Sequence, residues 1–284
     1  MRKFLAITAV SVFCFATACS PGGGSSGGPG RSGEISVDVN DENAQQIGDA
    51  MASIDEAGGA MGALAFDSAS MVPSQSCVGY GYGACTGNTI TRIFNGCSFG
   101  SSKHSGTVGL TWTGSSANCT LGAPGDSIRR VPNFSITGSK GGTLKVSKTG
   151  SNGQTLTWTG GFGANKAFNF TNDGINRKIT FGGTTYYDVT SQTSSTIVVS
   201  GSDRSGRVMS GGTLRLTNNL SGGVCDVSPS NVTWEPGCNC ATSGTWSGNC
   251  GGQAFSVALN GCGSAMLTVG TSTQAVTFDR CSPN

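Results

Sequence analysis

His104 is the only histidine in the 284-residue chain, and it lies in the polar stretch 101–105. A Ser-His-Asp triad uses an imidazole as its general base, so such a triad in this chain would need His104. A single histidine in a polar stretch is more often exposed than catalytic. We therefore expect His104 to be an exposed loop residue without a catalytic role.

Carboxylate chemistry would have to rely on aspartate, because Glu235 is the only glutamate after residue 60. Two carboxyl groups about 5 to 10 Å apart can hydrolyse a glycosidic bond. The spacing of the aspartates selects no pair for this role. The candidates are Asp173, Asp188, Asp203, Asp226 and Asp279.

Two further groups of polar residues each allow two interpretations. Residues 172–176 (NDGIN) are similar to a calcium loop, but Asp-Gly between two apolar runs favours the turn of a β-hairpin. Arg92, Arg129 and Arg130 lie beside strand-like segments. They would either pair with buried carboxylates or line a groove for an anionic ligand, and we favour the structural role.

The twelve cysteines indicate an exported protein with disulfide bonds. Cys14 lies in an N-terminal apolar run and Cys19 directly after it, so ten cysteines remain. They form an early group of four and a late group of six, which favours pairing within each group. We favour Cys97–Cys119 and Cys262–Cys281, because each pair flanks a strand-like run. The ten candidates are Cys77, Cys85, Cys97, Cys119, Cys225, Cys238, Cys240, Cys250, Cys262 and Cys281.

The Cys238-x-Cys240 spacing, together with Cys225 and Cys250, would also suit a zinc site. Structural zinc sites usually contain C-x-x-C pairs, often with histidine, and an oxidising compartment favours disulfide bonds. We therefore expect no metal and no cofactor.

Residues 1–18 have the features of a secretory signal peptide. Arg2 and Lys3 form the positive start, and the run from Phe4 to Ala18 carries no charge. A helix of this length would span about 22 Å, whereas a transmembrane helix needs roughly 20 residues. A membrane-spanning helix is therefore disfavoured.

The segment Ala16-Thr17-Ala18-Cys19 resembles the lipobox of bacterial lipoproteins, although Ala16 replaces the leucine that this family prefers. The resemblance implies cleavage after Ala18 and acylation of Cys19, with palmitate among the usual acyl chains, so that membrane lipid is a partner. Ser20 stands where many inner-membrane lipoproteins have aspartate, which implies the outer membrane. Ordinary signal peptidase would cut the same bond, so a freely secreted protein is the alternative.

Residues 19–33 form the lipid anchor site and a Gly/Ser-rich tether with a reach of about 20 Å. Removal of the signal peptide also removes two of the 17 basic residues, which leaves 15 against 15 acidic residues. The only adjacent basic pairs after the tether are Arg129-Arg130 and Arg177-Lys178. This distribution lacks the clustered basic surface that nucleic acid requires, so we expect no nucleic-acid partner.

Residues 34–60 predict a short strand followed by the only helix. The helix is predicted over residues 41–57, where Asn40 or Asp41 can cap it and Ile47, Met51 and Ile54 share one of its faces. From about Cys77 onward, short runs of period two are separated by turn dipeptides such as Gly-Gly and Asp-Gly. We predict an all-β fold, an antiparallel sandwich, barrel or stacked sheet, with a β body at 61–223 and a Cys-rich β portion at 224–284.

The Cys/Gly-rich body also resembles surface lipoproteins of proteobacteria, a resemblance that implies no functional residue. We therefore predict a membrane-anchored envelope lipoprotein whose β body acts as a structural, adhesive or ligand-binding module. A surface glycan or a protein would be its partner, and threonines 155, 157 and 159 would form part of its solvated face. The alternative function is a glycan-directed envelope hydrolase that uses two aspartates.

Overall fold

The computed structural model describes residues 80–82, 84–99, 102–115, 119–201, 204–238 and 240–278. Cys19, the tether and the predicted helix of residues 41–57 lie outside these ranges, as do Cys77 and Cys281. The predicted all-β class is confirmed, since the described residues form a single antiparallel sheet of 17 strands and contain no α-helix.

The strands are β1 (Tyr80–Tyr82), β2 (Thr89–Phe99), β3 (Ser102–Thr113), β4 (Ser127–Thr137), β5 (Thr143–Lys148), β6 (Gln154–Gly160), β7 (Ala167–Asn172), β8 (Ile175–Phe181), β9 (Thr184–Ser195), β10 (Ile197–Ser200), β11 (Val208–Ser210), β12 (Thr213–Asn218), β13 (Val224–Trp234), β14 (Ala241–Cys250), β15 (Gln253–Asn260), β16 (Ser264–Val269) and β17 (Ser272–Thr277). Two short 3-10 turns, Gly163–Asn165 and Arg204–Gly206, lie between strands.

The sheet is an up-and-down meander in which some strands follow one another along the same line. The second half of β4 pairs with β5 and the first half pairs with β6, on the edge opposite β3. In the same way β7 continues into β8, β9 into β10, and β11 into β12. We call each such line a rung. The 17 strands make thirteen rungs, because four rungs contain two strands each.

The interruptions in these four rungs lie next to one another and form a seam across the sheet. They are residues 149–153, 173–174, 196 and 211–212. Gly153 and Gly212 have positive φ angles of 72° and 67°, and a Cβ added to them would collide with the backbone oxygens of Arg130 and Thr196. Bulges and bends of this kind allow strands to turn a corner, so the seam lets the sheet change direction.

One face of the sheet forms the hydrophobic core. Inward residues alternate with outward ones, as in β6, where Leu156 and Trp158 are buried between threonines. A single cluster of buried apolar side chains extends from Val108 in β3 to Phe278 after β17. Burial on one face and polar side chains on the other are typical of an antiparallel sheet that packs one face on a core.

The prediction of a hairpin turn at residues 172–176 was wrong. Asp173 and Gly174 join β7 to β8 end to end, and these two strands pair with different neighbours. Asn172 is buried, and its side-chain oxygen accepts a hydrogen bond from the backbone N–H of Gly174 at 3.0 Å. An Asp-Gly dipeptide therefore marks a bend within a rung here rather than a reversal of the chain.

Three disulfide bonds follow one rule: each closes the open end of a two-stranded hairpin. Cys85 precedes β2 and bonds to Cys119 after β3, with 6.0 Å between their Cα atoms. Cys238 precedes β14 and bonds to Cys262 after β15. The third bond joins the opposed residues Cys225 and Cys250 at the outer ends of β13 and β14.

The two favoured pairings, Cys97–Cys119 and Cys262–Cys281, were therefore wrong, although both Cys119 and Cys262 bond within their predicted groups. In an antiparallel hairpin the start of the first strand meets the end of the second. Cys85 is close to that end, whereas Cys97 lies near the other end of β2. Cys240 is disulfide-bonded as well, so none of the four cysteines considered as zinc ligands is a thiolate.

Candidate ligand-binding face

The outer face of the sheet carries mainly hydroxyl and amide side chains. In β6, threonines 155, 157 and 159 alternate with buried residues, so they lie on the outer face as predicted. Neighbouring rungs connect through hydroxyl pairs, such as Thr213 with Ser228 at 3.1 Å and Thr268 with Thr273 at 3.1 Å. Against this background, charged and amide groups converge at one place, on β8, β9 and the end of β12.

This place is centred on Asp188 in β9. Lys178 of β8 lies opposite Asp188 in register, with 3.5 Å between its Nζ and Oδ2 of Asp188. Asn176 of β8 donates from Nδ2 to Oδ1 of Asp188 at 2.7 Å. We call the group the Asp188 patch, and its members are Asn176, Lys178, Tyr186, Asp188, Thr190 and Asn219.

Asn219, directly after β12, extends the patch to a third rung. Its backbone N–H donates to the carbonyl of Asp188 at 2.8 Å, and its Nδ2 donates to Oδ1 of Asp188 at 2.7 Å and to Oγ1 of Thr190 at 3.0 Å. Burial raises the pKa of Asp188, but the hydrogen bonds from Asn219 and Asn176 and the charge of Lys178 outweigh it. The pKa of Asp188 therefore lies below its usual value and the carboxylate stays ionised at neutral pH.

The internal hydrogen bonds leave defined groups for a ligand. Both Nδ2 hydrogens of Asn219 are used within the patch, so its amide oxygen is the group left to accept. Thr190 accepts from Asn219 and, at 3.4 Å, from Asn176, which leaves its hydroxyl hydrogen to donate. Lys178 carries three hydrogens and is 41% exposed. Hydrogen-bond donors and acceptors therefore lie side by side, and contacts within the protein hold them in place.

Tyr186 adds an aromatic ring to this polar group. It lies two residues before Asp188, at a bulge where β9 shifts register against β8, and it is 65% exposed. Bulges often redirect a side chain. Residues two apart on a strand are about 7 Å apart along it, so the ring lies at the margin of the patch.

The other described aspartates each have partners of their own. Asp226 pairs with Arg215 through two hydrogen bonds of 2.9 and 2.8 Å, and this contact raises the pKa of Arg215. Asp173 accepts from the backbone N–H of Asn152 across the seam. Asp188 belongs to the patch described above. Asp203 and Asp279 lie outside the described residues, so no pair of candidate aspartates is brought together among the described ones.

Asp126 is a carboxylate that the sequence analysis did not single out. It accepts hydrogen bonds from the backbone N–H groups of Ser115 at 2.7 Å, Gly122 at 2.6 Å and Ala123 at 3.0 Å. These backbone hydrogen bonds lower the pKa of Asp126 to about 2. Asp126 therefore fastens the connection between β3 and β4, and all of its strong contacts are internal to that loop.

His104 lies in β3 and is half-buried, so the prediction of an exposed loop residue was wrong. Its ring centroid is 6.1 Å from that of Phe94, and burial lowers the pKa of His104. Ser98 in the sequence Gly96-Cys97-Ser98-Phe99-Gly100 has the G-x-S-x-G spacing of a hydrolase nucleophile, which the sequence analysis overlooked.

The strand register separates Ser98 from His104. His104 pairs with Cys97 across the β2–β3 hairpin, and Ser98 is the next residue along β2. Successive residues of a strand point to opposite faces, so the side chains of Ser98 and His104 project from opposite faces of the sheet. Ser98 also lies within a strand rather than at a sharp strand-to-helix turn. This serine and this histidine therefore do not form a nucleophile and its base.

The candidate arginines have different surroundings. Arg130 is buried and donates from Nη1 to Oε1 of Gln154 at 2.7 Å, across the junction of β4 and β6. Arg129 is the next residue and lies on the outer face between Thr111 and Thr155. Arg92 is half-buried in β2. These positions do not converge with the Asp188 patch, which the sequence analysis reached only through Asp188.

The neighbours of Asp188 could not be found along the chain. Tyr186, Asp188 and Thr190 alternate visibly on one strand, but Asn176 and Asn219 reach the patch only through the pairing of rungs.

None of the helices in the described part of the chain is long and apolar enough to cross a membrane. In the same residues, no group of three or more His, Cys, Asp or Glu side chains is placed to hold a metal ion. No protein-family model, curated protein or solved structure matches this chain.

Proposed function

We propose that this protein is a lipid-anchored component of a bacterial cell envelope, attached through acylated Cys19, whose β body binds a ligand at the envelope. The lipobox-like segment and the Gly/Ser-rich tether support the anchor. The disulfide bonds support an oxidising compartment outside the cytoplasm. A tether of this length would hold the sheet clear of the lipid headgroups with its outer face accessible.

The observation that carries the binding role is the Asp188 patch. Ion pairs that serve only the fold usually satisfy one another, as Arg215 and Asp226 do. In the patch, by contrast, three rungs are linked so that an amide oxygen, a hydroxyl hydrogen and an ammonium group remain available beside an exposed ring. Fixed polar groups of this kind give orientation and specificity to a ligand at low cost in conformational entropy.

The anchor and the binding role are tested separately in cells that express the full chain. Mass spectrometry of the mature N-terminus is expected to show an acylated Cys19, and Cys19→Ser is expected to move the protein from the membrane fraction to the soluble fraction. An unmodified Cys19 would contradict the anchor.

For the binding role, the Cys19→Ser chain is purified and incubated with isolated cell envelopes of the expressing strain. We expect it to sediment with the envelopes and to be displaced when unlabelled protein competes with labelled protein. Failure to sediment in a saturable way would contradict the proposed function.

A further inference from the structure

We infer that the ligand of the Asp188 patch is a carbohydrate, bound by its hydroxyl groups to Asn219, Thr190 and Lys178 and by its ring to Tyr186. The inference rests on the proposed function and names the ligand class for that site. Every sugar hydroxyl both donates and accepts a hydrogen bond. A ligand with adjacent hydroxyls therefore needs hydrogen-bond acceptors and donors close together, and the patch presents both within one small area.

The charge of the patch disfavours a strongly anionic ligand. The ammonium of Lys178 and the carboxylate of Asp188 lie 3.5 Å apart and cancel each other at neutral pH. One further cation lies beside the patch, because Lys145 of β5 is opposite Lys178 in register. A site for phosphate or sulfate usually presents several unpaired cations or a bidentate guanidinium, and Arg215 on this face is neutralised by its own partner, Asp226.

The exposed ring supports a sugar over a smaller polar molecule. Tyr186 is 65% exposed at a place where the surrounding side chains are polar. An aromatic face can pack against the C–H face of a pyranose while the hydroxyls at the ring edge bond to neighbouring groups.

The positions of these groups suit a ligand that lies across the rungs. Neighbouring rungs are about 4.8 Å apart, so β8, β9 and the end of β12 span about 10 Å. One or two sugar residues of a chain would cover that distance. Tyr186 and Asn219 are exposed on the outer face of the sheet, which suits the interior of a polysaccharide chain rather than a small molecule enclosed on all sides.

The test uses the Cys19→Ser full chain on a glycan array that includes neutral bacterial and eukaryotic oligosaccharides and the anionic polysaccharide heparin. We expect the chain to bind at least one neutral glycan on the array. The affinity for that glycan is then measured by titration in solution. Tyr186→Ala and Asn219→Ala are each expected to weaken binding about tenfold or more. Tyr186→Phe keeps the ring and is expected to change affinity by less than about threefold.

Two matched control variants lie away from the patch. Phe162→Ala removes a ring that is 76% exposed on the loop after β6, and Asn260→Ala removes an exposed amide at the end of β15. Both are expected to bind as the parent does. Thermal unfolding of all five variants checks that loss of binding does not reflect loss of the fold.

The outcomes separate this inference from the proposed function. Binding to heparin alone would show attraction of an anion rather than recognition of sugar hydroxyls, and would overturn the assignment of a neutral carbohydrate. Equal binding by the patch and control variants would overturn it as well. If no glycan binds but the chain still sediments with envelopes in a saturable way, the ligand is of another class and the proposed function stands. If neither occurs, both fail.

Discussion

The molecule has two regions that differ in charge and in the means by which their rungs are held together. All 13 lysines and arginines between residues 80 and 278 lie at or before Arg215, so β13 to β17 carry none. The four interrupted rungs and the seam also lie before β13. The strands β13 to β17 contain one charged residue, Asp226, which is paired with Arg215 of β12. We call β1 to β12 the charged region and, because it has no unpaired charge on its strands, β13 to β17 the uncharged region.

The two regions differ in most of the cross-links between their rungs, although the disulfide bond Cys85–Cys119 closes the β2–β3 hairpin of the charged region. In the charged region, side-chain hydrogen bonds connect neighbouring rungs around Asp188 and Arg130. In the uncharged region, two disulfide bonds close successive hairpins, and the outer face presents a row of hydroxyls. This row crosses five rungs through Ser228, Ser247, Ser256, Thr268 and Thr273.

Under the proposed function, the difference would divide stability from binding in a chain with few charged residues. Disulfide bonds and small outward residues give the uncharged region a stable edge without polar contacts of high specificity. The charged region carries the irregular backbone and the fixed polar groups that a ligand needs. Four changes, from the largest expected effect to the smallest, test this division.

The first change asks whether one core joins the two regions. Phe170 of β7 and Trp246 of β14 are both fully buried. Phe170→Ala and Trp246→Ala are each expected to lower the free energy of unfolding by about 3 to 5 kcal/mol, because each leaves a large cavity. In chemical denaturation followed by fluorescence and circular dichroism, both variants should unfold in one transition. Separate transitions for the two regions would show that they are independent.

The second change removes a disulfide bond from the uncharged region. The loop between Cys238 and Cys262 has a sequence separation of 24. Replacing both residues by serine is expected to lower the free energy of unfolding by about 3 kcal/mol, since the unfolded chain gains loop entropy. Thermal unfolding with and without a reductant measures the effect. A parent protein whose melting temperature is unchanged by complete reduction would contradict this role of the bonds.

The third change tests the seam of the charged region. Gly212→Ala places a Cβ against the backbone oxygen of Thr196 at a φ of 67°. The expected loss is about 1 to 2 kcal/mol for the left-handed backbone, and more for the collision. Gly237→Ala, where a Cβ meets nothing within 4 Å, is the control and should have little effect. If the two variants are equally stable in urea denaturation, the seam tolerates a side chain at residue 212 and the prediction is wrong.

The fourth change concerns Asp126, whose pKa is about 2 in the folded protein against 3.8 in a model peptide. Because the folded pKa is the lower one, the carboxylate stabilises the fold above about pH 4, and this contribution is lost as the pH falls towards 2. Asp126→Asn is therefore expected to lower the melting temperature at pH 6 but to have little effect near pH 2. Asp173→Asn is the control. A constant difference between Asp126→Asn and parent across this range would contradict the assignment.

Local sequence patterns predicted the fold class well but the contacts between rungs poorly. The alternation of Leu156 and Trp158 with threonines reveals a strand with one buried face, since that pattern depends only on neighbours in the chain. The Asp-Gly at 173–174 has the composition of a hairpin turn. The chain nevertheless does not reverse there, because β7 and β8 pair with different neighbouring strands. Local composition cannot distinguish a bend from a reversal, because the pairing partners decide between them.

The same limit applies to the disulfide bonds and to the candidate site. Cys85 and Cys119 meet because β2 and β3 form a hairpin, a fact that lies in the register and not in the cysteine spacing. Asp188 was visible as one of several aspartates. Its selection required Asn176 and Asn219, which are brought to it from two other rungs.

Amide hydrogen exchange distinguishes binding at the Asp188 patch, on the charged region, from binding elsewhere on the sheet. The exchange of the Cys19→Ser chain would be measured by mass spectrometry, first for the chain by itself and then with isolated cell envelopes. We expect slower exchange on binding in peptides that cover residues 176–190 and 217–220, and no change in peptides from β14 to β17. Protection confined to β13 to β17 would contradict binding at the Asp188 patch and would assign it to the row of hydroxyls on the uncharged region.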